Sequence, residues 1–146
     1  MPDIREARVL RRAVFDAVGL LDGDFFAYHE DVDFCLKAEQ AGFGVACVGE
    51  AVGLHVAHAS TGGGYNPRRK YMMGVNAIWF LRRHGTPERW LRFVVFDILS
   101  LPPLLVVGCL SGRGRAVMAK AKGILDGLRG RRVTAELIED GSSFLW

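Results

Sequence analysis

Cysteine is scarce in this chain. Its three thiols, Cys35, Cys47 and Cys109, are far apart, form no Cys-x-x-Cys pair and leave an odd count, so neither a disulfide framework nor a zinc ribbon is expected and a reducing compartment is the default. No apolar stretch follows the charged start Met1-Pro2-Asp3-Ile4-Arg5-Glu6, so no secretory signal peptide is expected and the start is placed in the cytoplasm. The phosphate-cradling patterns Gly-x-x-x-x-Gly-Lys-Ser/Thr and Gly-x-Gly-x-x-Gly are missing, and there is no internal repeat. Its arginines are not interleaved with an aromatic stacking platform, which argues against a nucleic-acid partner. With 146 residues the chain can bury one core, yet it is short for a complete two-substrate nucleotide enzyme, which needs about 200 residues or more.

Charge is present but unevenly placed. Residues 1–66 hold five Lys/Arg against ten Asp/Glu, a net −5, whereas residues 67–146 hold fourteen against six, a net +8. An acidic half suits a metal or proton-transfer site, and a basic half suits phosphate or an anionic membrane surface. Two ordinary solvated faces would give the same counts. Between Arg92 and Arg113 lies an apolar segment, Phe93 to Gly112, of about twenty residues, long enough to cross a hydrocarbon core as a helix. Asp97 would be costly there and Pro102-Pro103 is expected to break the helix, so a bent, interfacial or re-entrant hairpin fits better than a plain span. Arginines and lysines flank it on both sides, as in segments held at an anionic surface.

The local pattern predicts a short helix over 12–18 stopped by Gly19, then a loop turning at Asp22-Gly23-Asp24. A second helix is expected from Glu30 to about Ala41, docking through Val32, Cys35 and Leu36. Phe43 to Val56 reads as two short strands. Asn66 and Pro67 are expected as N-cap and first residue of the longest helix, which runs to about His84, stops at Gly85 and packs through Tyr71, Met72, Val75, Ile78, Trp79 and Arg82. Helical stretches are expected around 117–128, and the tail from Thr134 has no clear period.

Three groups of residues could carry chemistry. Glu30, Asp31 and Asp33 crowd three carboxylates into four positions. Their repulsion should raise at least one pKa unless a cation compensates, which would suit a general base; carboxylates at a helix start are also commonplace dipole partners. His55 and His58 are three apart, and an imidazole could join carboxylates or phosphate oxygens around a divalent ion, though no second ligand pair stands at a recognised spacing. Ser60 to Gly64 offers backbone N–H groups to a phosphate and equally reads as a mobile loop.

The order of all these pieces is more specific than any one. Arg11-Arg12-Ala13-Val14-Phe15, Val18 to Phe26, Tyr28-His29-Glu30-Asp31-Val32-Asp33-Phe34-Cys35-Leu36, Ala41-Gly42-Phe43 and Ala51 to His55 together resemble the second half of family-two glycosyltransferases, in particular the rhamnosyltransferase-like bacterial branch. The resemblance is close over about residues 9–85. It implies an α/β fold class: residues 1–86 as the acceptor-binding, catalytic-base half of a GT-A domain, and 87–146 as an apolar and basic, helical, membrane-associated extension. It implies Asp31 as general base with Glu30 beside it, and acceptor contacts from Asp33, Asp22 and Asn76. It further implies a donor-phosphate loop at Ser60, Thr61, Gly62 and Gly63, and His55 as a ligand of a divalent metal, Mg or Mn. Partners would be a nucleotide-sugar donor, a saccharide or lipid-linked acceptor, and an anionic membrane surface at the cytoplasmic face, with no nucleic acid. Val75 stands where arginine is usual and Gly23 where an acid is usual. No nucleotide-binding first strand and no Asp-x-Asp metal motif precede Arg11, so donor binding is expected to be very weak, as in a truncated or split product, a fragment that needs a partner, or a degenerate relative. A non-catalytic membrane or partner-binding module derived from the same fold is the alternative.

Overall fold

A computed structural model describes residues 3–4, 10–46, 48, 54–55 and 65–146; for Asp3, Ile4, Leu54 and His55 it describes the backbone alone. Two short strands, β1 (Asp3–Ile4) and β2 (Leu54–His55), pair antiparallel with Asp3 opposite His55. The other described elements are helical: α1 (Arg12–Val18), α2 (Glu30–Gln40), α3 (Pro67–His84), α4 (Pro87–Phe93), α5 (Leu101–Leu110), α6 (Gly114–Leu128) and α7 (Ala135–Ile138). Residues 43–46 and 48 form no strand, and the rest of the expected extended stretch, apart from β2, lies outside the described residues.

The helix limits follow from capping chemistry. Gly19 ends α1 with φ +80 and returns its N–H to Phe15, a left-handed conformation that costs glycine little. The Asn66 side chain accepts from the Arg68 N–H, with Pro67 at the first helical position, so α3 begins and ends where the sequence predicts. Helix α2 docks differently. Asp33, Phe34 and Ala38 are buried whereas Val32 is 46% exposed; the docking face is one step round from the expected Val32–Cys35–Leu36 set, because the Phe34 ring meets Phe15 of α1.

The centre of the molecule is the crossing of α3 and α6. A Cβ on Gly74 would run into the Lys120 carbonyl and the Ile124 nitrogen, one on Gly123 into the Tyr71 carbonyl, and one on Gly127 into the Val75 carbonyl and the Ile78 side chain. Glycine is therefore required at all three positions for the backbones to approach this closely. Successive α3 positions meet successive α6 positions, so the two helices run in the same direction. Parallel neighbours need a return path, and α4–α5 supplies it. Tyr71, Met72, Val75 and Ala119 form the core with Val133 and Leu145. The tail, which has no readable period, thus closes the core: Leu145 is 2% exposed and Trp146 stacks on Tyr71 at 5.3 Å between ring centroids.

The apolar segment departs from the expected break. Between α4 and α5, residues 94–98 form a π-turn, with the Leu99 N–H donating to the Val94 carbonyl at 2.9 Å, and Pro102 and Pro103 lie in the first turn of α5. Prolines cost least in a first turn, and the widened turn before them takes up the mismatch, so the path from Pro87 to Leu110 stays helical. This 24-residue stretch is long and apolar enough to cross a membrane, with 11% of its most apolar window buried in the protein. It does not fold back on itself; α5 turns at Ser111–Arg113 and packs against α6, with Gly108 against Val117 and Gly114.

Candidate functional site

The loop before α2 is held in costly conformations. Phe26 has φ +58 and ψ −60, and the Ala27 N–H donates to the Phe25 carbonyl at 2.6 Å, which is the rare, strained form of a γ-turn. Tyr28 and His29 follow at φ +70 and +74. Positive φ at three bulky residues within four positions persists only where surroundings over-determine it, and such strain clusters at functional sites. The chain then enters α2 at Glu30 and Asp31.

Two braces hold this loop. Asn76, wholly buried on α3, points Nδ2 at the carbonyls of Phe25, Ala27 and Tyr28 at 2.6, 2.7 and 2.9 Å. The second brace is ionic. Asp33 Oδ1 accepts from Arg83 at 2.9 Å and lies 2.8 Å from His84 Nε2, while Arg83 also reaches Asp22 at 2.7 Å and lies over the Phe25 ring. Lys37 Nζ is 2.7 Å from Asp33 Oδ2 but off the hydrogen-bonding direction, so that oxygen is compensated in charge without being hydrogen-bonded. Burial pushes the Asp33 carboxyl up, yet Lys37, His84 and Arg83 outweigh it and the net shift is downward. Crowding of acids predicts a rise somewhere in the run; at Asp33 the shift is the opposite, because three partners converge on it. The Asp24 N–H, opposed by burial and helped by Arg83, holds Asp22 low as well.

The sequence-predicted site residues therefore divide. Glu30 and Asp31 sit at the mouth of α2, both partly exposed; one Asp31 oxygen accepts from the Val32 N–H at 2.7 Å. Asp33, Asp22 and Asn76 are brought together beneath them as the braces. Asp33 and Asn76 are wholly buried, so in this geometry both support the loop and neither presents a polar atom at the surface. The side chain of His55 and all of Ser60, Thr61, Gly62 and Gly63 lie outside the described residues. Among the described residues no three His, Cys, Asp or Glu side chains converge to hold a metal.

Sequence reasoning missed His29, Arg83 and His84. Burial holds the His29 imidazole below its ordinary value, against the opposing pull of Asp31. Its Nδ1 and the neighbouring Glu30 Oε2 are buried with no hydrogen-bond partner among the described residues. His29, Phe80 and His84 stack in a row at 5.7 and 5.2 Å. The adjacent Arg83-His84 before Gly85 was the available signal, readable only as helix-end cations.

A family model described as glycosyl transferase family group 2 matches residues 7–121, which takes in the strained loop, the acid pair and both braces. The chain belongs to that family. Glycosyl transfer is accordingly the general activity of this glycosyltransferase, with a nucleotide-sugar and an acceptor as its general partners. No curated protein and no solved structure matches the chain.

Proposed function

We propose that this glycosyltransferase supplies the acceptor side of an inverting sugar transfer, with Asp31 as general base and Glu30 beside it. Asp31 takes the proton of an acceptor hydroxyl as that oxygen bonds to the anomeric carbon. The bond from the anomeric carbon to the nucleoside diphosphate breaks, and its electron pair leaves with the diphosphate. The observation that carries the reading is the bracing of the strained loop: Asn76 and Asp33, on elements outside the loop, fix where Glu30 and Asp31 stand. The donor half and a GT-A layering of sheet and helices belong to the same proposal, as does the rhamnosyltransferase-like branch. A divalent cation would compensate charge on the departing diphosphate; the described residues do not assemble its ligands.

The reading places the protein at the cytoplasmic membrane face. Phe96, Val106 and Leu110 are 72%, 62% and 86% exposed, and Arg92, Arg113 and Arg115 are exposed nearby in sequence, a combination that suits an anionic lipid surface and a lipid-linked acceptor. Transfer from radiolabelled nucleotide-sugars, assayed in membranes of cells expressing the protein, tests the base. Asp31→Asn should lower turnover by about 10²–10⁴-fold with donor binding retained; turnover within tenfold of wild type would sink the assignment. The exposed helix also favours a second reading, a non-catalytic membrane module. That reading expects no transfer and full vesicle binding with Glu30, Asp31 and Asp33 all neutralised.

A further inference from the structure

The first turn of α3, the π-turn and the start of α6 bring cations together faster than carboxylates answer them. Lys70 Nζ stands 5.3 Å from the centre of the Tyr65 ring and the Arg113 guanidinium 4.4 Å from the same ring. Arg69 lies over the Tyr28 ring at 5.3 Å, with its Nε buried and without a hydrogen-bond partner among the described residues. Lys120 reaches Asp97 at 2.5 Å. Among the described residues Arg69, Lys70 and Arg113 make no ion pair, and Asp97 is the carboxylate that answers Lys120. Burial first, and then Lys120 and Arg69, push the Lys70 ammonium below its ordinary value despite Asp97, the direction that burial and neighbouring like charge both impose.

The position of this cluster decides what it fits. Through Tyr28, three residues before Asp31, it adjoins the acid pair; through Arg113 it adjoins the α5–α6 turn, where Leu110 is 86% exposed. A ligand filling it would carry a compact multiply charged anion, with a sugar reaching one way and hydrocarbon the other. We propose that Arg69, Lys70, Arg113 and Lys120 bind the phosphate or diphosphate head of a lipid whose chain lies along α5. Arginine contributes a planar fork matched to phosphate oxygens and lysine a point charge. That the lipid also carries the acceptor sugar rests on the preceding assignment of Asp31; the anion site itself does not.

Flotation of the full chain tests this with three probes. They are phosphatidylcholine vesicles containing phosphatidic acid, a monoester phosphate; vesicles with phosphatidylglycerol, a diester, at matched surface charge; and inorganic diphosphate in solution. Phosphatidic acid vesicles should bind tighter than the charge-matched diester. The R69Q/K70Q variant should lose that preference by at least about tenfold, as expected for loss of charge-assisted hydrogen bonds, while R11Q/R12Q keeps it. Arg113 is exposed, so R113Q should weaken the preference with folding intact even if the double variant is unstable. Equal binding of monoester and diester, or a preference untouched in R113Q and R69Q/K70Q, overturns the site. Free diphosphate competing as strongly as the lipid form overturns the lipid source and assigns the anion to a soluble diphosphate. Every flotation arm reads binding without sugar transfer, so loss of the transfer reading and loss of this site are told apart.

Discussion

Asp33 shows how little a residue's neighbours in sequence reveal about its work. It lies two positions from the proposed base, yet its partners Arg83 and His84 are fifty and fifty-one residues away. Replacing it by asparagine keeps the shape and removes the charge that Lys37 and Arg83 face, so Asp33→Asn should cost about 3–5 kcal/mol, the usual penalty for breaking a buried pair, measured by urea unfolding. That the acid run opens a helix was legible; which acid would be buried was not, because that depends on where the far end of α3 arrives. The pH dependence has two stages. His29 is held below 6.5 in the folded state, so the unfolded chain takes its proton first and stability starts to fall as pH drops below about 6.5. Asp22, Asp33 and Asp126 are held below 3.8. Their contribution is complete above that value and is lost as pH falls through their lower folded values. Melting temperature against pH should therefore decline in two steps, and His29→Gln should remove the upper one.

Among elements, helix ends were the most readable part of the fold. Asn66-Pro67 and the two stops at Gly19 and Gly85 have local causes, and local causes are written locally. The α3–α6 crossing was not readable, since Gly123 and Gly127 look like weak points in a helix until Tyr71 and Val75 are set against them. Gly123→Ala should force the helices apart at the Tyr71 carbonyl and cost about 1–3 kcal/mol or more, whereas alanine at a solvent-facing helical glycine would stabilise. The same crossing buries Asp126, which accepts from the Tyr71 hydroxyl at 3.0 Å and from Lys122 at 2.7 Å. Burial, then Asp126, drives the Tyr71 hydroxyl well above its ordinary value, so it stays protonated and donating. Tyr71→Phe leaves Lys122 in place and should lower stability by about 1–3 kcal/mol in the same unfolding assay. The tail was missed because its anchors, Leu145 and Trp146, act singly and have no period to show.

At the scale of the molecule, the acidic first half and the basic second half meet each other. Arg83 joins Asp22 and Asp33, and Arg132 joins Asp24, so part of the charge asymmetry is spent on internal docking. What remains positive surrounds Tyr65 and the hairpin that α5 makes with α6. Leu110 contributes nothing to the core, and Leu110→Glu should leave the melting temperature within error while weakening binding to anionic vesicles by about tenfold or more, the equivalent of about 1.5–3 kcal/mol for one large side chain. A fall in stability without a fall in vesicle binding would mean that the hairpin tip is structural.

The π-turn at Val94–Ile98 works as a phase adjuster. One residue beyond α-helical register rotates everything downstream by about 100° about the helix axis, and Gly108, which meets α6, lies on the rotated side. Removing a single residue, such as Val95, would restore an ordinary helix of almost the same length and hydropathy while turning α5 so that a different stripe meets α6. Sequence composition would scarcely register such a deletion, yet the hairpin would present another face to its surroundings.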